Sequence, residues 1–145
     1  MLIHGSAAAW GSEAVLFRGP AGAGKSDLVL RLIGRGWQLV ADDQVMLEGE
    51  EASAPPALRG MLEIRGLGIF TALPVASPAR LCLVVDLVAR EAVPRLPEPA
   101  LWQGPASAVP RLSLHAFEAS TCDKIIHALG AATGRLRQKA GAFAA

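Results

Sequence analysis

The chain has 145 residues, 52% of them hydrophobic, and a formal net charge of +1. That length and apolar content suit one domain, residues 1–145, with a substantial core. The near-neutral balance, with Lys and Arg scattered along the chain, argues against a nucleic-acid or membrane partner. No apolar run approaches the roughly 18 residues of a membrane span, and no secretory leader pattern opens the chain. Cys82 and Cys122 lie in apolar runs without metal-ligand spacing. They read as free thiols in a reducing compartment, so the expected location is cytoplasmic.

Residues 1–12 are small and apolar, with His4-Gly5 near the start, and predict an edge strand and a turn. Residues 13–18 contain Ala14-Val15-Leu16-Phe17 and predict a buried strand. It runs into Gly19-Pro20-Ala21-Gly22-Ala23-Gly24-Lys25-Ser26, which matches the phosphate-binding P-loop pattern. A helix follows from Ser26 to Arg35, with Leu28, Val29, Leu32 and Ile33 on one face. Asp27 and Arg31 are spaced to pair on it, and Gly34 and Gly36 end it. Trp37 to Ala41 predicts a strand running into Asp42-Asp43, and Val45-Met46-Leu47 another. Residues 48–60 read as a loop.

Met61 to Arg65 alternates, placing Leu62 and Ile64 on one face and Glu63 and Arg65 on the other, where these two can pair. Gly66-Leu67-Gly68 ends that strand. Leu81 to Val88 is a continuous apolar run and predicts a central strand covered on both faces. Residues 89–111 hold five prolines and predict a flap or surface loop. Leu112 to His115 reads as a last strand, and Ser120 with Asp123 as a capping box. Ile125, Ile126, Leu129 and Leu136 then predict a helix over about 120–138, with Lys139 to Ala145 frayed.

The P-loop pattern points to a nucleoside triphosphate. Glycines allow turns that aim backbone N–H groups at phosphate oxygens, and a helix start adds a positive dipole end. Lys25 is placed to reach the β- and γ-phosphates, and the Ser26 hydroxyl to ligate Mg²⁺. Three acidic positions compete as partners of that site: Asp42-Asp43, Glu63 and Asp86. Neighbours on a strand point to opposite faces, so Asp42 and Asp43 cannot both face the phosphates unless the chain turns there. One would serve as base and the other stand near the metal. His4 alone reads as an ordinary N-terminal histidine, and His115 and His127 as structural. The three tryptophans read as packing residues. With no tyrosine in the chain, a tyrosine nucleophile is excluded.

The order of His4-Gly5, Gly19 to Ser26, Arg35 to Asp43 and Leu62 to Ile69 resembles the catalytic domain of HPr kinase/phosphorylase. The "VADD" and "EIRGLGI" blocks are more specific than the P-loop. The similarity is good over residues 1–70 and weak beyond. The resemblance implies an α/β P-loop kinase domain with a mixed sheet and flanking helices, related to phosphoenolpyruvate carboxykinase. It implies ATP and Mg²⁺ as cofactors and a serine of the phosphocarrier HPr as acceptor. It makes Asp42 the general base and Lys25 the phosphate holder. Ser26, Asp43 and Glu63 become the Mg²⁺ neighbourhood, and His4 and Arg65 orient phosphate or acceptor. Asp86 becomes the less favoured metal ligand.

The chain looks like a short form without the regulatory domain of the family's long forms. Those assemble as hexamers, which leaves a homo-oligomer open. Of the family's Arg-Pro-Gly-Arg-Asn block only a trace stands around Pro110-Arg111-Leu112, which leaves phosphorolysis open. Two other readings also stand: a non-catalytic ATP/ADP-sensing module, and a P-loop kinase for another acceptor.

Overall fold

The computed structural model describes residues 1–144. Among these described residues, eleven strands and two α-helices follow one another in this order. β1 (Leu2–His4), β2 (Ser6–Trp10) and β3 (Glu13–Arg18) precede α1 (Lys25–Ile33). β4 (Gln38–Ala41), β5 (Gln44–Glu48), β6 (Glu51–Ser53), and the hairpin of β7 (Leu62–Ile64) and β8 (Gly68–Phe70) come next. β9 (Arg80–Leu87), β10 (Ala100–Gln103), β11 (Ala108–Leu114) and α2 (Thr121–Ala132) complete the chain.

One nine-stranded mixed sheet runs β1-β5-β6-β9-β3-β2-β4, with β11 also on β9 and β10 on β11. β3, β9 and β11 are parallel, whereas β2 is antiparallel to both β3 and β4. Residues 1–12 thus do more than form an edge. β2 lies inside the sheet, between β3 and β4, and its Ala7, Ala8 and Ala9 are fully buried.

The sheet has a core on each face. Val15 and Phe17 of β3 join Leu28, Val29 and Leu32 of α1 and Ile125 and Leu129 of α2. Ala14 and Leu16, one residue out of phase, pack on the other face with Val45, Leu47 and Ala52. β9 is buried from Leu81 to Val85, as its unbroken apolar run predicts.

Several elements differ from the expectation. Residues 48–60 hold β6 and a short 3₁₀ turn at Pro56–Leu58, so they are more than a loop. The 89–111 segment is not an open flap: β10 and the first half of β11 form a hairpin that joins the main sheet through β9. α2 stops at Ala132, six residues short of 138. Gly134 there takes φ 84°, and the N–H groups of Arg135 and Gly134 bond the carbonyls of Gly130 and Ala131. This is the Schellman stop, which only a left-handed residue permits. Leu136 therefore lies beyond the helix and is half exposed. Ser120 does precede α2, but its side chain makes no cap. Thr121 Oγ1 instead donates to His115 O at 2.7 Å. The tail is not frayed as expected: Ala142 is buried and Phe143 packs on the helix-side core, while Ala145 lies outside the described residues. Both cysteines are buried and free.

Candidate functional site

The Gly19–Ser26 loop leaves the carboxyl end of β3 and becomes α1. Ala23 N–H closes a turn on Pro20 O at 3.1 Å, with Ala21 and Gly22 exposed at its tip. Gly22 (φ 82°) and Gly24 (φ 100°) take left-handed backbone that side chains resist. A Cβ at Gly24 would stand 2.7 Å from Ala116 Cβ and 2.9 Å from Phe117 Cζ, so this glycine is also sterically required. α1 starts with no side-chain cap, which leaves its first N–H groups to a ligand. Lys25 is buried, and its Nζ donates to Gly19 O (2.6 Å) and Pro20 O (2.9 Å). The ammonium is thus held over the loop by two carbonyls that an anion can replace.

Asp42 directly follows β4 on the adjoining side of the sheet and is buried. Its Oδ1 accepts from Ser26 Oγ at 2.7 Å and from Ser6 Oγ at 2.8 Å. Its Oδ2 faces the N–H of Glu63 at 3.4 Å. The carboxylate is therefore fixed by donors from β2, α1 and β7. Immediately after it the chain turns. Asp43 takes φ 69°, and Gln44 N–H bonds Asp42 O at 2.8 Å, an i to i+2 γ-turn. The turn splits the acidic pair: Asp42 faces Ser26, and the exposed Asp43 carboxylate lies 3.7 Å from His4 Nδ1. Gly5 N–H donates to Asp43 O and holds β2 to this turn.

Glu63 and Arg65 are exposed beside the site on the β7–β8 hairpin. They form no ion pair, because Arg65 lies past the end of β7, in the turn. Among the described residues no three His, Cys, Asp or Glu side chains gather closely enough to hold a metal by themselves. Asp86 stands apart. Arg18 Nε donates to its Oδ1 at 2.8 Å, and Arg111 Nε lies 3.8 Å from its Oδ2. Two guanidiniums neutralise that carboxylate, which makes it a poor metal ligand. Trp102 lies under Arg18 at 5.6 Å, and Trp37 is buried with the half-exposed Trp10 against it.

Two residues of this neighbourhood were not legible as site residues. Ser6 was hidden in a run of small residues, and its signal is being the one polar side chain in an otherwise apolar buried strand segment. Arg18 immediately precedes the glycine loop, yet nothing local indicates Asp86, 68 residues away.

The fold is an α/β mixed sheet of the HPr kinase/phosphatase kind. It superposes on the solved structure of the Hpr(Ser) kinase/phosphatase from Coxiella burnetii with a TM-score of 0.72 and 27% identity, over 89% of this chain and 87% of that one. The chain belongs to the family of the HPr Serine kinase C-terminal domain, whose model matches residues 1–95. It is 42% identical over 96 residues to HPr kinase/phosphorylase 1 of Oceanobacillus iheyensis, covering 59% of this chain and 31% of that protein. It is 45% identical over 100 residues to the HPr kinase/phosphorylase of Bordetella petrii, covering 57% and 32%. The aligned region thus spans about a third of the length of these relatives.

Proposed function

We propose that this chain is a kinase domain that transfers the γ-phosphoryl group of ATP to a serine hydroxyl of the phosphocarrier HPr. The observation that carries this reading is Asp42, a fixed carboxylate one hydrogen bond from the serine that ends the glycine loop. The names of the relatives supply the acceptor. The residues fit a Mg²⁺-nucleotide. Lys25 and the uncapped start of α1 offer positive charge. Ser26, with Asp43 and Glu63 as acidic neighbourhood, offers hard oxygen donors. Mg²⁺ keeps waters and takes much of its shell from phosphates, so a few protein oxygens are enough to hold it.

Bound Mg²⁺-ATP supplies the phosphoryl group and neutralises charge on the β- and γ-phosphate oxygens. Lys25 turns from Gly19 O and Pro20 O toward those oxygens and stabilises charge that develops in transfer. With Mg²⁺ bound, the Ser26 hydroxyl would be one of the groups holding it and would give up its bond to Asp42 Oδ1. Asp42 then has a free lone pair for the proton of the acceptor hydroxyl, while Ser6 Oγ keeps the carboxylate in place. The acceptor oxygen bonds to the γ-phosphorus, the bond to the bridging oxygen breaks, and ADP leaves. His4 and Arg65 orient phosphate or acceptor at the rim.

The test is transfer of label from γ-labelled ATP to HPr of the same organism, with Lys25→Ala and Asp42→Asn alongside. Label on an HPr serine, lost in both variants, supports the reading. ATP binding without label would favour a nucleotide-sensing module or another acceptor. Inorganic phosphate added to labelled HPr tests phosphorolysis in the same vessel.

A further inference from the structure

β3, β9 and β11 run parallel, so the loops after them emerge at one edge of the sheet. Ligands of such sheets sit outside the carboxyl ends of the strands. Ser6 and Asp42 flank the glycine loop on the β2 and β4 side, and Asp42 marks the γ-phosphate end by its bond to Ser26. The nucleoside end must leave on the other side, toward the loops that follow β9 and β11.

The segment after β11 lies against the glycine loop there. The steric limit at Gly24 is set by Ala116 and Phe117, with Phe117 Cζ and Cε1 as the approaching atoms. The ring therefore touches the loop by its rim. Its surroundings are fixed from several elements. Arg31 of α1, ion-paired to Asp27 at 2.9 Å, donates to Ala116 O. His115 Nδ1 lies 3.0 Å from Val88 O, and its ring meets Phe117 edge to face at 5.8 Å. Arg90 and Glu118, 3.8 Å apart, link the loop after β9 to the loop after β11. Ala116 is 1% exposed, yet Phe117 beside it is 55% exposed. An aromatic ring is thus held in place at the mouth of the loop with most of its surface open to solvent.

We propose, resting on the nucleotide reading above, that Phe117, braced by His115, is the platform on which the nucleobase stacks. Every base has a π-face, so the platform favours a nucleotide over a bare polyphosphate without choosing strongly among bases. Covering Gly24 is a second role for the same ring, made by its far edge at Cζ and Cε1, and tripolyphosphate binding reports on that role separately.

The test measures binding of ATP and of inorganic tripolyphosphate, both with Mg²⁺, to the wild type, Phe117→Leu and Phe117→Trp. Phe117→Leu is expected to weaken ATP by roughly ten-fold and leave tripolyphosphate unchanged. Phe117→Trp is expected to keep ATP affinity, with tryptophan emission quenched by ATP and not by tripolyphosphate. Unchanged ATP affinity in Phe117→Leu, or equal loss of both ligands, overturns the platform. Failure of the wild type to bind either ligand overturns the nucleotide reading itself, and the platform with it.

Discussion

Ser26 Oγ donates to Asp42 Oδ1 at 2.7 Å, joining the last residue of the glycine loop to the residue that follows β4. The same oxygen accepts from Ser6 at 2.8 Å. The two donors differ in exposure. Ser26 is part-buried at the glycine loop, whereas Ser6 is wholly buried inside the sheet.

Asp42→Asn keeps the shape of the residue and removes its basicity. Transfer is expected to fall by about 10²- to 10⁴-fold, the span of general-base catalysis, with ATP affinity retained. Turnover and calorimetric ATP binding on one preparation separate the two effects. Full turnover in the variant would remove Asp42 from the role of base.

Ser6→Ala deletes one of the two hydroxyl donors on Asp42 Oδ1. The carboxylate keeps Ser26, so the stability cost is that of one hydrogen bond, about 1 kcal/mol. Thermal unfolding should show a fall of roughly 2–5 °C in Tm. If Asp42 is the base, as proposed, the kinetic mark is a lower kcat at an unchanged KM for ATP, since Ser6 holds that carboxylate in place.

Gly22 and Gly24 both have positive φ but differ in surroundings. Alanine at Gly22 meets nothing within 4 Å, whereas alanine at Gly24 strikes Ala116 and Phe117. Backbone strain of about 1–3 kcal/mol applies to each. Gly24→Ala is expected to be the more damaging, destabilising the fold further and abolishing nucleotide binding. Denaturant melts and ATP titrations of the two variants check the order.

Burial raises the Cys82 thiol above its ordinary value of 9.0, an effect that the nearby charge of Arg80 partly offsets. The unfolded chain loses this proton near pH 9, while the folded chain keeps it to higher pH. The folded state therefore binds more protons in that window, and stability falls as pH rises through it. Cys82→Ala should flatten the Tm decline between about pH 9 and the raised value. At neutral pH the buried thiol should also alkylate slowly beside a free cysteine in solution.

The local elements were legible because their causes are local. The run Ala14 to Phe17, the glycine pattern through Ser26 and the apolar face of α1 each follow from residues a few positions apart. The Asp27–Arg31 ion pair at 2.9 Å needed only helical spacing. The tension in Asp42-Asp43 was legible too, since strand geometry forbids both from facing one way unless the chain turns. The sequence does not show how the chain resolves it, which is a γ-turn with φ 69° at Asp43.

By itself, then, the sequence determined the glycine loop, its flanking strand and helix, and the family blocks around Asp42 and Glu63. Only the tertiary structure decided that Ser6 shares Asp42 with Ser26, that Arg18 and Arg111 occupy Asp86, and that Phe117 lies over Gly24. It also drew β6 and β10 into the sheet from segments rich in turn residues. The physical reason is sequence distance. Helix period and turn chemistry act over a few residues, whereas Ser6 and Asp42 are 36 positions apart and Arg18 and Asp86 are 68. Strand pairing brings such positions together, and no local pattern encodes which strands pair.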